Sequence, residues 1–314
     1  MSQDDQKCLF LIMISVPCNL CGADDYKVRF PATIQPQEQI EVDAFSCTNP
    51  GYGHHAQIVQ CRQCGYVYAN PRWDGDEILQ AYTAVTDETY LQERAARELT
   101  FQKHLRAMEK RVGMANGRSL LDVGAYIGVF VETACEAGWQ ACGVEPSEWA
   151  ASVAQKQGLH VIHGTQDAPE LAGKQFDVVT MWDVIEHVAD PLGEIGKAYH
   201  LLKPGGWVVI HTMDISSLMA KLMGARWPWL MDMHIHYFSQ KTLRQMLKKN
   251  RFEVVWSGAE GRYLRLNYFV SRVEALSRPL GRLASWVVNG LRLGHVAIPL
   301  NFGDLFTVYA KKPS

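Results

Sequence analysis

The sequence predicts an α/β protein, a mainly parallel sheet covered by helices on both faces, preceded by a small β module that carries paired cysteines. Three observations predict it. From residue 118 onward, short apolar runs alternate with helical stretches. A glycine-bearing turn, "LLDVGAYIGVF", follows the first of those runs. Two C-x2-C pairs, "CNLCG" and "CRQCG", stand near the front of the chain.

A chain of 314 residues with 47% hydrophobic content can support one large domain and a smaller appendage. Its formal charge of -2 lacks the basic footprint of a protein that grips a nucleic-acid backbone, so small or neutral partners are favoured. The front apolar run "CLFLIMISVP" is too short to span a bilayer and has no small-residue cleavage site. It is expected to form a buried strand or terminal arm. Without a secretory signal, the eight cysteines suggest a reducing cytoplasm, where metal ligands or free thiols are the default.

Along the chain, residues 16–72 are rich in Pro, Gly, Asn and Cys, with short alternating pieces such as "AQIVQC" and "YVYANP". Residues 1–72 are therefore expected to be the turn-rich β module. Residues 73–115 read as a helical connector, with Asp74 placed as an N-cap. Residues 116–314 then supply "RSLLDVG", "QACGVEP", "HVIHG", "FDVVTMWD" and "GGWVVIHTM" as strands, with "FEVVWSG" and "DLFTVYAKK" later. Between those last two, residues 259–303 form an apolar insertion with six Arg and no Lys against Glu260 and Glu274. It is expected to act as a lid or a dimer contact, and its arginines suit the phosphates of an anionic lipid-linked or nucleotide-linked acceptor. With no transmembrane segment expected, a peripheral membrane contact and a homodimer are the further partners considered.

Gly124 and Gly128 sit after a strand and at the opening of a helix, where missing side chains let backbone amides approach a ligand. Glu145 ends the next strand, 21 residues after Gly124, and a carboxylate there can accept both hydroxyls of a ribose. That spacing also fits a dinucleotide site, but the pattern is D-x-G-x-x-x-G, an incomplete cradle for a pyrophosphate. Asp122 would repel a phosphate and suit a cationic ligand. S-adenosylmethionine, with a sulfonium, an amino acid end and a ribose, is such a ligand.

The motifs "LLDVGAYIGVF", "GVEPS", "FDVVTMWDVIEHVADP", "LLKPGGWVVIHT" and "HIHYFSQKTLRQMLKKNRFEVV" together resemble the class I S-adenosylmethionine-dependent methyltransferases of the "DVxEHV" branch. The resemblance covers about residues 116–257 and the final strand. It implies a Rossmann-like seven-stranded sheet in the order 3-2-1-4-5-7-6 with the last strand antiparallel. It further implies that Asp122, Gly124 and Gly128 line the methionine end, that Glu145 holds the ribose, and that Asp167 lies near the adenine. Trp182 and Asp183 would sit at the mouth of the fourth strand beside the methyl group. Tyr126 replaces the usual middle glycine of the loop, so its ring must turn away. The branch methylates quinones, sugars, lipids and other biosynthetic intermediates.

Methyl transfer from a sulfonium is an in-line displacement, and a base is needed only for a hydroxyl or carbon nucleophile. His187, one turn after Asp183, is either that base or an imidazole bonded to the loop after strand five. His234 and His236 alternate, so in an extended segment only one faces the site. By resemblance His234 falls on the family's histidine and is the favoured acceptor-side base or donor. A metal at His-x-His is disfavoured because no nearby acid or cysteine in the sequence completes a set.

Cys18, Cys21, Cys61 and Cys64 form two knuckles, each followed by a glycine, and complete a closed tetrahedral shell for a structural zinc ion. A redox disulfide or an iron–sulfur cluster are the alternatives. Cys47, His54 and His55 lie between the knuckles, and Cys135 and Cys142 read as packed thiols. The module has a counterpart in some sugar C-methyltransferases. The function expected is therefore methyl transfer to a small-molecule, glycan or lipid-linked acceptor. An RNA base methyltransferase with a zinc ribbon, and a silent cofactor-binding fold retained despite Tyr126, are the alternatives.

Overall fold

The computed structural model describes residues 8–9, 13–34, 40–49 and 51–314. Seven strands form the main sheet: β1 (Ser119–Val123), β2 (Gln140–Glu145), β3 (Val161–His163), β4 (Phe176–Trp182), β5 (Leu202–Met213), β6 (Glu253–Ala259) and β7 (Leu305–Lys311). Their order is 3-2-1-4-5-7-6, and β7 runs antiparallel to both β5 and β6. The expected topology is met. Each of β1 to β4 is a short, mostly buried run, as strands covered on both faces must be.

Alternation along these strands sends neighbours to opposite cores. Leu121, Val179 and Val208 join one cluster, whereas Leu120, Val178 and Val209 join another. The second face is covered by α3 (Arg94–Val112), α4 (Val129–Glu136) and α5 (Glu148–Lys156), through residues such as Met108, Phe130 and Ala154. The first is covered by α6 (Pro191–Leu201) and α8 (Gln240–Lys249), and by the cysteine module itself, since Cys18, Leu20, Cys61 and Tyr66 belong to the same cluster. Local signals start the helices. Asp190 accepts from Gly193 N at 3.0 Å with Pro191 as the first helical residue, and Ser239 with Thr242 closes a reciprocal cap on α8.

The connector is three helices, α1 (Gly75–Thr83), α2 (Glu88–Gln92) and α3, and Asp74 does cap the first by accepting from Asp76 N at 2.9 Å. Of the front apolar run, Cys8–Leu9 pairs with Ile40–Glu41 and Met13–Ile14 pairs with Arg72–Trp73. Residues 10–12 of that run lie outside the described residues. The module's main sheet contains Tyr26–Phe30, Ile58–Cys61 and Val67–Ala69, and its edge is completed by His236–Tyr237 from beyond β5. A boundary at residue 72 therefore cuts a strand, and the module does not own all of its sheet.

The insertion after β6 is a small β-ribbon, Arg262–Arg265 with Ala297–Leu300, carrying two helices, α9 (Leu266–Leu276) and α10 (Arg278–Gly290). Tyr263 N donates to Thr100 Oγ1 at 2.8 Å and Arg265 Nε meets Glu93 Oε1 at 3.0 Å, which pins the ribbon to α3. Among the described residues, no helix is long and apolar enough to cross a membrane. A short helix, α7 (Leu218–Met223), stands in the long loop after β5.

Candidate functional site

The C-terminal ends of β1, β2 and β4 open into a cavity of about 1020 Å3, the place where an open α/β sheet offers its crevice. Asp122, on β1, is buried and its Oδ1 accepts from Thr180 Oγ1 at 2.6 Å. Burial outweighs that bond and pushes its pKa up to about 8. Glu145 ends β2 fully buried, accepting from Tyr126 N and Ser147 N at 2.8 Å each, and hydrogen-bonded to the Tyr82 hydroxyl. Burial again dominates, raising it to about 7.

Gly124 holds φ +70°, and a Cβ there would stand 2.6 Å from Val184 Cγ2. Only glycine fits the turn and the loop behind β4 together. Gly128 holds φ +80°, but it meets Leu159 and Ala154 and lies away from the cavity wall, so it seats α4 against α5. Tyr126 accepts its left-handed φ of 49° and packs its ring edge-on against Tyr90 at 4.4 Å and Trp149 at 5.9 Å. Tyr126 still lines the cavity, and its amide serves Glu145. Asp167 lies at the rim, exposed, and pairs with Lys197 at 2.5 Å.

At the end of β4, Trp182 stacks on His104 with centroids 4.9 Å apart, and its indole N–H has no partner among the described residues. Asp183 takes φ 55° and receives Arg262 Nη2 at 3.1 and 3.2 Å on its two oxygens. Burial opposes its ionisation, but Arg262, His211 and Arg97 together hold the carboxyl at about 2. Behind it, the Thr307 hydroxyl donates to Glu260 Oε2 at 2.8 Å, so the His211 Nδ1–H at 2.9 Å must donate to Thr307 Oγ1. The unprotonated Nε2 of His211 then faces Asp183 Oδ1 at 3.8 Å.

His187 and His234 stand with ring centroids 4.8 Å apart on the cavity wall. Nδ1 of His187 bonds Met233 O and Nδ1 of His234 bonds Trp229 O, both at 2.8 Å. A carbonyl only accepts, so both rings carry the proton on Nδ1 and keep a lone pair on Nε2. Burial lowers both, His234 to about 3, and keeps them neutral. The bond of His187 to the loop after strand five matches one of its two expected roles. His236 faces away from the cavity and stacks on Tyr66 at 5.7 Å, as the alternation requires.

One expectation is corrected here. The nearest acid in the sequence, Asp232, pairs with His54, but the fold supplies Glu186, whose backbone oxygen accepts from Ile235 N and His236 N at 3.1 Å each. Donor atoms of Glu186, His187 and His234 lie within 4.8 Å of one another, a set able to hold a divalent cation. Burial, then Asp183, lifts Glu186 to about 8, and its Oε2 has no hydrogen-bond partner among the described residues. The acid was hidden because its neighbour in space is 48 residues away in sequence.

Cys18, Cys21, Cys61 and Cys64 gather their sulfurs within 4.8 Å of one another. The Cys18–Cys64 and Cys21–Cys61 separations of 3.5 Å are too long for disulfides and close to the edge of a tetrahedral Zn–S4 shell, about 3.8 Å. None of the four lines the cavity. Cys47 does line it, while His54 pairs with Asp232 at 2.6 Å and His55 bonds Ala56 O at 2.8 Å, so none of these joins the cluster. Cys142 is packed as expected, but Cys135 is exposed, because its end of α4 faces solvent.

Sequence reasoning missed Arg97, Tyr82 and Arg262 as well as Glu186. Arg97 stands 4.1 Å over the Tyr90 ring, lines the cavity and has no carboxylate partner among the described residues. Nothing local marks it, since it reads as one of many charges on an ordinary helix.

A family model described as "Methyltransferase domain" matches residues 90–256. A ubiquinone biosynthesis O-methyltransferase of Leptothrix cholodnii is 33% identical over 133 residues, 38% of this chain and 55% of that protein. The enzyme of the same name from Ruegeria pomeroyi is 38% identical over 104 residues, 31% of this chain and 42% of that protein. The chain spans about half the length of the curated relatives it matches. A chain from the solved complex between the Haloferax volcanii Trm112 methyltransferase activator and a methyltransferase shares the fold, with a TM-score of 0.50, 13% identity, and coverage of 75% of this chain and 98% of that one. The match spans more than half of the sequence and falls on the strands that build this cavity, so the chain belongs to the class I S-adenosylmethionine-dependent methyltransferase family.

Proposed function

We propose that the protein moves a methyl group from S-adenosylmethionine to a hydroxyl of a small-molecule acceptor, aromatic, sugar or lipid-linked. The observation that carries this reading is the convergence of Glu145, Asp183 and the His187–His234 pair on one cavity. The donor set fits the cofactor: a buried carboxylate for the ribose diol, the unpaired Arg97 guanidinium for a carboxylate, and Asp122, in its ionised form, for a cationic group. The cofactor, when bound, supplies an electrophilic methyl group on a sulfonium.

The chain's own residues then have three tasks. The wall of Trp182, Phe101, Met219, Met223 and Trp229 excludes water, which favours displacement by the acceptor over hydrolysis. The Nε2 lone pair of His234 accepts the acceptor's O–H and orients its oxygen for in-line attack. As the O–CH3 bond forms, the proton passes along that hydrogen bond to His234 Nε2, with the carboxyl of Glu186 within 4.8 Å to stabilise the imidazolium in its ionised form. The O-methyltransferase names of the relatives support an oxygen nucleophile, and the Tyr126 ring packed on Tyr90 and Trp149 supports turnover over a silent fold. Zinc in the four-cysteine cluster would be structural and suits a cytoplasm that keeps thiols reduced.

The test combines calorimetry with S-adenosylmethionine and transfer of a labelled methyl group over a panel of phenols, quinols, sugars and lipids. His234→Ala should cost about 100-fold or more in turnover on the accepted substrate while cofactor affinity stays within about threefold. Normal turnover in that variant would remove His234 from the reaction.

A further inference from the structure

An ordinary surface helix turns its apolar stripe inward, and α10 does the reverse. Gly281 and Val288 are its buried residues, whereas Leu280, Leu283, Trp286 and Val287 are 61%, 60%, 75% and 42% exposed. At 100° per residue those four share one outward face, and Leu291, 63% exposed, extends it. Arg278, Arg282 and Arg292 flank the face, all exposed, and no acidic residue occurs between Glu274 and Asp304. The hairpin is thus apolar and cationic at once in a chain whose formal charge is -2.

A second apolar projection borders the same cavity. On α7, Leu218 and Leu222 are 71% and 75% exposed beside Lys221, while Met219 and Met223 of that helix line the cavity. From the insertion, Leu276 and Phe302 line it and are themselves exposed. Both projections therefore stand at its rim. We propose that the α9–α10 hairpin docks on an anionic phospholipid bilayer, with Leu280, Leu283 and Trp286 in the acyl boundary and the arginines among headgroup phosphates, so that the cavity opens toward the membrane. A second copy of the chain is the weaker occupant. A twofold contact would set this arginine patch against itself, whereas anionic headgroups complement it. Docking rests on this outer face alone and holds whatever acceptor the cavity takes.

The experiment is vesicle flotation of the full chain with phosphatidylcholine alone and with about 30% phosphatidylglycerol, at low and high salt. Anionic vesicles should raise the floated fraction at least about fivefold, and high salt should reverse much of that gain. Leu283→Asp with Trp286→Asp should cost about tenfold or more in binding with an unchanged melting temperature, since both side chains face solvent. Arg278→Gln with Arg282→Gln should abolish the preference for anionic vesicles and provides the reading if the first variant folds poorly. Equal or absent binding to both vesicles, or binding that survives both variants, would overturn the proposal. So would light scattering that shows a dimer in the wild type, made monomeric by Trp286→Asp, with nothing floated.

Discussion

Glu145 faces two demands at once. It is wholly buried, which favours the neutral acid, yet two backbone amides and a tyrosine hydroxyl are aimed at it, which favours the carboxylate. The balance near pKa 7 places its ionisation within the working range of the proposed site. A ribose diol needs the ionised acceptor, so cofactor affinity should rise between pH 6 and 8, by up to about tenfold, as the carboxyl loses its proton. Calorimetry across that range checks it. Glu145→Gln should flatten the dependence and weaken binding at pH 8, and a wild-type-like profile in that variant would refute the assignment. Asp183 behaves differently because Arg262, bonded to both of its oxygens, overcomes the burial and holds its pKa at about 2. The residues of the glycine turn and the two acids were legible from the sequence, because they are contiguous motifs with fixed spacing. Arg97, Arg262 and Tyr82 were not, because each reaches the cavity from an element whose own pattern says only "helix" or "strand".

Among the elements, the two cysteine knuckles are the clearest case of local sequence dictating local form. Cys21 N bonds Cys18 O at 3.2 Å and Gly65 N bonds Cys61 O at 3.0 Å, so each pair is already folded around the point where a metal would sit. The clamp is tied to the large domain as well: Asn19 Nδ2 donates to Asp190 Oδ1 at 2.7 Å at the start of α6, and Lys249 of α8 donates to Leu20 O. Cys61→Ser should therefore lower both zinc content and the melting temperature, the loss being at least about 2 kcal/mol, measured by metal analysis and thermal unfolding. A fully metallated, equally stable variant would exclude the closed four-sulfur site. Strands and caps were read correctly here because their patterns are short-range. The helical hairpin of the insertion was not resolved in advance, because α10 hides almost nothing and its apolar stripe points away from any core.

For the molecule as a whole, buried ionisable groups set the pH at which the ligand-free chain is most stable. Burial raises Asp122 to about 8 and Glu145 to about 7, so the folded state binds these protons more tightly than the unfolded chain. Their stabilisation is complete below pH 4 and is lost as pH rises through 7 to 8. His211, buried and lowered to about 3, works the other way: its contribution is present above about 6.5 and is lost as pH falls toward 3. Above about pH 6.5, where the histidine contribution is complete, stability should decline toward pH 8. Asp122→Asn should be more stable than the wild type at pH 8 by on the order of 1 kcal/mol and equal to it at pH 5, as thermal unfolding at both values would show. An identical pH profile in both proteins would contradict the burial argument. The sheet order at this scale was legible only through the resemblance of the ordered motifs to the methyltransferase family, which implies it.

His236 and Tyr237 pair with Tyr68 and Val67 across about half the length of the chain. The segment that carries His234 is thereby stitched at its far end into the sheet that the cysteines clamp. Front module and the cavity wall that carries His234 are in mechanical series: whatever loosens the clamp, whether chelation, oxidation of a thiol or cleavage behind residue 73, should release the strand that positions His234. Chelation of a metal held there would then be read as a change in the proposed turnover before it is read as unfolding, although none of the four clamp sulfurs lines the cavity.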